Sequence, residues 1–421
     1  MTTIKKRSTG AIVLAAALLA LALAVGACGE STDDTSTTAA VTESTAPPAA
    51  EVEHLKIGLI EPMSGPISVV GLAFKRGYEL YADKVNQEGG IQIGDTTYLI
   101  DVISEDGKGS PEAAGTAAKK LVYEDEVAFV AGEILEPASD AIYQVTSTAP
   151  DKVMHILSWV NIPFTPTDVK ADKPLQVRLA ISPQDTNVPD IDYLVTTYPD
   201  AKRLAIVYPN IGYEPLIEDV TKISQAKGLE ITGSFSFEFG ATDFVPTYSK
   251  ALASNPDVIV ALVSGQADAQ LRAARDLGFK GVFISTSPLA PEFFVNTAGE
   301  AASTDVIVNG MDMTNPTPEM AAVRDASVAK YGEFESDQLI GYDQLWTLVQ
   351  LMQKAGSADP EKVDTVLDSM TAEGSLQTTY GPGRIGGAKA YGTNRVLYRP
   401  VSVVRLMNGK PELIGLVPIA E

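Results

Sequence analysis

The chain holds one cysteine, two histidines and two tryptophans in 421 residues. One cysteine excludes an internal disulfide framework. His54 and His155 have no metal-ligand neighbour at usable spacing, so a zinc site or a Ser-His-Asp triad lacks parts. Basic residues are also scarce: 32 Lys and Arg against 54 Asp and Glu give a formal net charge of −22, which sets the chain against nucleic acid as a partner. A solvated acidic surface accounts for that charge without any special function. No G-x-x-x-x-G-K-[ST] phosphate loop occurs, and beyond the N-terminal segment no apolar run is long enough to span a bilayer.

What is present begins with Lys5, Lys6 and Arg7, followed by an apolar run over 11–25 and then Val25-Gly26-Ala27-Cys28. The run falls short of the roughly 20 residues that cross a membrane, so it reads as a secretion signal. Its end resembles a bacterial lipobox, which implies that Cys28 is acylated and becomes the mature N-terminus. Residues 31–50 are rich in Ser, Thr, Ala and Pro and cannot bury enough surface to fold, so they read as a flexible tether. The expected plan is a signal peptide over 1–27 and a tether over 28–53. Folded chain fills the remainder.

The stretch 55–91 organises that remainder. Leu55, Ile57, Leu59 and Ile60 predict a strand, Pro62-Met63-Ser64-Gly65-Pro66 a turn, and Val69, Leu72, Ala73, Leu80 and Val85 the apolar face of a helix that ends at Gly89-Gly90. A loop from strand end to helix start is where open α/β sheets hold small ligands, and Ser64 sits in it, either as a ligand contact or as a plain helix cap. Strands at 98–104, 127–131 and 153–157 alternate with helices at 110–123 and 138–148, which argues for parallel βαβ units in a doubly wound sheet. After a proline-bearing loop the alternation restarts with strands at 203–208 and 231–237, and a second lobe begins near Ile181. Two segments follow one plan: 124–142 runs acid, apolar strand, Ala-Gly-Glu, helix, and 255–277 runs acid, apolar strand, Ser-Gly-Gln, helix. Glu133 and Gln266 are then strand-end residues of opposite lobes, placed to face each other across a cleft. Later strands are expected at 282–285 and 306–309, helices at 319–331, 340–355 and 360–370, a bent glycine-rich loop at 380–392, and a hairpin over 396–417. The G-x-G-x-x-G match at 381–386 lacks the strand and helix that a dinucleotide site needs.

With those pieces in order, the chain resembles the branched-chain-amino-acid-type solute-binding proteins of ABC importers. The residues that carry the likeness are Ile57-Gly58-Leu59 with Pro62-Met63-Ser64-Gly65-Pro66, Asp106 with Pro111-Glu112-Ala113-Ala114, Gly132 with Pro137-Ala138-Ser139, Leu271-Arg272 through Leu277-Gly278, Gly341-Tyr342-Asp343, and 381–384 before Asn408-Gly409-Lys410. The resemblance implies an α/β fold of two doubly wound parallel-sheet lobes joined by three crossovers and closing on a small molecule. Lobe 1 is expected over 54–179 and 286–393, and lobe 2 over 180–285 and 394–421. Carried over by position, the ligand would touch Ser64, Glu133, Ile134, Trp159, Asn161, Tyr213 and Gln266.

Amino-acid-binding members place small and hydroxyl-bearing residues in the first-lobe loops for an α-carboxylate, and an acid near Gln266 for the α-ammonium. This chain has Ile134, Leu135, Trp159, Val160 and Ile162, and a neutral amide. Closing a cleft on an unpaired ionised group costs a few kcal/mol. The expected solute is therefore apolar, aromatic or amide-like, with Trp159 and Tyr213 stacking on it or, for Trp159, packing in the core instead. The expectation is an extracytoplasmic, lipid-anchored monomer that needs no cofactor and no metal, performs no chemistry and delivers its solute to a membrane permease. Two alternatives stand beside it: a receptor or sensor lobe without transport, and a hydrolase using the carboxylates Glu133 and Glu136.

Overall fold

The structure, a computed structural model, describes residues 52–65, 67–158, 169, 172–181, 183–262, 266–286, 291–309, 313 and 315–419. Cys28, Trp159 and Asn161 lie outside the described residues. Strands are numbered along the chain: β1 Val52–Glu61, β2 Ile91–Ile93, β3 Thr96–Asp106, β4 Phe129–Ala131, β5 Met154–Leu157, β6 Gln176–Arg178, β7 Arg203–Pro209, β8 Glu230–Phe237, β9 Val258–Ala261, β10 Val282–Ser285, β11 Val306–Val308, β12 Leu376–Thr378, β13 Gly381–Gly386, β14 Val396–Tyr398, β15 Val401–Met407 and β16 Lys410–Val417.

They form two sheets. The first has the order β12-β13-β14-β6-β5-β4-β1-β3-β2 and the second β16-β15-β11-β10-β9-β7-β8. In the first, β3, β1, β4, β5 and β6 run parallel, with β2 and the β12–β13 pair antiparallel at the edges. In the second, β8, β7, β9, β10 and β11 are parallel and β15–β16 antiparallel. Strands covered by helices on both faces must be apolar on both, and β1 shows it. Leu55, Ile57 and Leu59 enter one core and Ile60 enters the core on the other face, beneath helices Pro111–Tyr123 and Glu136–Thr148. The two-lobed doubly wound fold expected from the alternation is the fold observed.

The chain passes between the sheets three times. It leaves β6 for helix Pro183–Thr197, which packs on β15; it leaves β11 for helix Pro318–Tyr331, which packs on helix Ser68–Gln87; and it passes from β14 to β15 through Arg399-Pro400 alone. The expected lobe boundaries at 285/286 and 393/394 therefore need correction. Strand β11 pairs with β10, Phe283 opposite Val306, so the second sheet extends through Val308. Strand β14 pairs with β6, Val396 opposite Arg178, so the first sheet reclaims Val396–Tyr398. The single strand expected over 396–406 is cut at Pro400, which has no N–H to continue a ladder.

Two further expectations change. The glycine-rich segment 381–386 is itself a strand, paired to β12 and β14, rather than a bent loop. On helix Ser68–Gln87 the expected Ala73, Leu80 and Val85 are buried, joined by Phe74, Tyr78, Tyr81 and Ala82, whereas the expected Val69 and Leu72 are exposed. The reason is a close crossing with helix Gln338–Ala355. A Cβ at Gly77 would lie 2.1 Å from the Gln338 carbonyl oxygen, and one at Gly341 2.2 Å from that of Phe74. The two helices thus meet backbone to backbone at a pair of glycines, which draws the Phe74 face inward.

Candidate functional site

Among the parallel strands of each sheet the order reverses direction once. The reversal falls between β1 and β4 in the first sheet and between β7 and β9 in the second. Carboxyl ends that flank such a point splay apart and leave a crevice lined by strand-end loops. In the first sheet those loops carry Ser64 and Glu133-Ile134; in the second they carry Tyr213 and Gln266. Tyr213 and Gln266 are the residues that immediately precede helices Glu214–Ala226 and Ala267–Asp276.

The first-lobe site is built on glycine. A Cβ at Gly132 would fall 1.7 Å from the Ile60 carbonyl oxygen, so only glycine lets the ends of β4 and β1 approach. His155, fully buried in β5, fixes the same turn. Its Nε2–H donates to the Gly132 carbonyl at 2.5 Å while Nδ1 accepts from the Gln176 amide at 3.1 Å, the tautomer that an amide donor requires. Burial lowers the imidazole to about 4, against the pull of the Gly132 carbonyl, so the ring is neutral at ordinary pH.

Glu133 follows. Its carboxyl is buried, and Oε1 accepts from the Gly109 N–H at 2.8 Å. Burial pushes it up to about 7, while the N–H groups of Gly109 and Leu135 hold it down and the Asp106 charge raises it further. Glu61, at the end of β1, is buried too and accepts a hydrogen bond from the Ser158 hydroxyl. Burial drives its carboxyl well above the usual carboxylate range, with Ser158 opposing and Glu133 adding. Each acid keeps one oxygen, Oε2, with no hydrogen-bond partner.

Ser64 is exposed and does not cap the following helix, whose first flanking residue is Ile67 with no side-chain cap. Its hydroxyl bonds Asp106 instead. Burial raises the Asp106 carboxyl, but Ser64 and the N–H groups of Met63 and Lys108, at 2.9 and 3.0 Å, together outweigh it and the group ends below its ordinary range. The loop after β3 is thus tied to Ser64 through Asp106 and to Glu133 through Gly109. These predicted residues are brought together by a third loop, whose Asp106 stood out in the sequence only as part of the family likeness and not as a site residue.

Ile134 and Tyr213, from opposite lobes, are both buried in one apolar cluster with Phe74, Ile340 and Leu216. Burial pushes the Tyr213 phenol upward, so it stays protonated. Gln266 is half-buried at the end of the second-lobe crevice. Phe74, Ile340 and Glu61 were missed from the sequence. The first two were hidden in helical stripes that read as ordinary core; Glu61 had a signal, an acid between an apolar strand and Pro62. A cavity of about 590 Å³, lined by Val188, Tyr193, Val403, Ile414 and Val417 among others, contains none of the predicted site residues.

Comparisons with known proteins agree with this architecture. A Leu/Ile/Val-binding protein of Rhizobium johnstonii is 27% identical over 345 residues, covering 78% of this chain and 87% of that protein. A leucine-binding protein from Thermotoga maritima superposes with a TM-score of 0.67 at 21% identity, over 86% of this chain and 99% of the other. An ABC-transporter solute-binding protein from R. palustris, solved with 4-hydroxybenzoate, gives a TM-score of 0.68 at 20% identity, over 87% and 98%. The profile of the Periplasmic binding protein family matches residues 54–410, and the chain belongs to that family of two-lobed solute-binding proteins.

Proposed function

We propose that this protein is a lipid-anchored extracytoplasmic binding protein that captures an apolar, aromatic or amide-like solute between its lobes and hands it to an ABC permease, acting as a monomer without chemistry of its own. The observation that carries the reading is that Ile134 and Tyr213, one from each lobe's switch-point loop, are buried in the same apolar cluster. A solute inserted there gains contacts from both lobes only when they close, and that differential affinity shifts an open/closed equilibrium. Ser64, Glu133, Ile134, Tyr213 and Gln266 form its contact set, together with Trp159 and Asn161, which the sequence assigns to it.

Relatives support both halves of the ligand question. The Rhizobium protein is named for leucine, isoleucine and valine, whereas two R. palustris neighbours were solved with 4-hydroxybenzoate and benzoate. The departures at Ile134, Leu135 and Gln266 favour the aromatic side of that range over a free amino acid. A thermal-shift screen of leucine, valine, aromatic acids and aromatic amides tests it, since a ligand that binds only the folded state raises Tm by mass action. Strong stabilisation by leucine would refute the aromatic or amide preference. Anchoring is tested separately: Cys28→Ser should move the protein from the membrane fraction to the soluble fraction, and an unchanged distribution would remove the lipid from the account.

A further inference from the structure

A helix N-terminus with free N–H groups at a switch point is a ready seat for an anion. In the first lobe the donors of such a seat are two backbone N–H groups, that of Gly109 in the loop after β3 and that of Leu135 at the entry to helix Glu136–Thr148. The protein has put its own carboxylate there. Glu133 Oε1 takes the Gly109 N–H at 2.8 Å, and the N–H of Leu135, which leads into the helix, acts on the same carboxyl. The surroundings are shaped to receive it. A Cβ at Gly107 would come within 3.0 Å of Glu133 Oε1, and Gly132 and Gly109 hold positive φ on either side. The side chain is fully buried, and its Oε2 has no partner. Glu61, also fully buried with an unpartnered Oε2, stands at the neighbouring strand end.

We propose that Glu133 fills the first lobe's anion seat from within, so that the cleft rejects solutes bearing a carboxylate and accepts neutral ones whose N–H or O–H groups can meet an acid oxygen. This rests on the solute-binding reading and narrows it, separating aromatic amides from aromatic acids. An incoming carboxylate would meet a second anion on the same donors, and like charges at such separation in a poorly solvated site repel strongly. An amide N–H would instead satisfy an oxygen that the fold leaves unpaired.

The test uses the full chain and three probes, benzamide, sodium benzoate and L-leucine, read by calorimetric titration at pH 8. The wild type should bind benzamide and bind benzoate at least tenfold more weakly. Glu133→Ala should reverse the order by gaining benzoate at least tenfold, and Glu133→Ser, which keeps a small polar side chain should the alanine variant fold poorly, should do the same. Benzoate binding to the wild type as tightly as to either variant overturns the proposal and leaves the solute-binding reading standing. The same holds if the folded variants keep benzamide but gain no benzoate. Silence of every protein toward all three probes overturns both together.

Discussion

At the scale of the residue, two buried titrating groups make opposite demands on pH. Glu133 binds its proton up to about 7 in the fold, against an ordinary 4.5. The folded chain therefore holds more protons than the unfolded one across that window, and stability falls as pH rises through it. Glu133→Gln should flatten this slope and raise Tm at pH 8 more than at pH 5, as thermal melts at the two values would read; equal shifts at both would assign Glu133 no titration in the window. His155 is the mirror case. Its ring is lowered to about 4 from 6.5, so the stability it contributes is present above 6.5 and drains away as pH falls toward 4. Replacing His155 by Gln should remove that acid-side loss while weakening the turn at Gly132, and urea titrations between pH 4 and 7 would separate the two effects. Glu133 was legible as a candidate because 124–142 and 255–277 follow one plan, which sets Glu133 and Gln266 at matching strand ends. Its hold on Gly109 was not, because nothing local in 132–136 encodes a partner 24 residues earlier.

At the scale of the element, alternation of apolar runs with amphipathic stretches gave strand and helix types, because parallel strands buried on two faces have little latitude in composition. Faces were harder. Val69 and Leu72 fit a helical stripe yet lie in solvent, since the crossing of helices Ser68–Gln87 and Gln338–Ala355 turns on Gly77 and Gly341, and a glycine pair reads as weakness in a sequence scan. Adding one methyl at either position tests the crossing. Gly77→Ala would gain helix propensity but force backbone atoms apart, and it should cost about 1–3 kcal/mol in chemical denaturation. A neutral or stabilising result would mean that the helices can separate cheaply. Strand β13 was misread for a related reason: three glycines in 381–386 suggest a bend, whereas the pairing of Arg384 with Tyr398 and Ile385 with Leu397 holds the segment extended.

At the scale of the molecule, the third passage between the sheets is the tightest. Arg399, almost fully buried, lies with its guanidinium 3.5 Å from the centre of the Tyr380 ring and its Nε 3.5 Å from Asp343 Oδ2, while Asp343 accepts from the Thr379 N–H and hydroxyl at 2.7 and 2.9 Å. Burial raises the Asp343 carboxyl to about 6 despite the arginine. Asp343→Asn would keep the contacts to Thr379 but leave a buried cation unpaired, so it should lower the unfolding free energy by about 3 kcal/mol, with the urea midpoint as the measure. A loss below about 1 kcal/mol would mean that water reaches Arg399. Little of this joint was visible in the sequence, where Asp343 stood out only as part of the family likeness. A β-rich run from 396 onward reads as one strand, and only Pro400 hinted that it changes sheets.

Three passages between the sheets also bear on inheritance. Each lobe is sewn from separated stretches of chain, so no single cut of the gene releases either one whole. Recombination can exchange this protein as a complete pair or alter its loops, but it has no seam along which to trade one half for another.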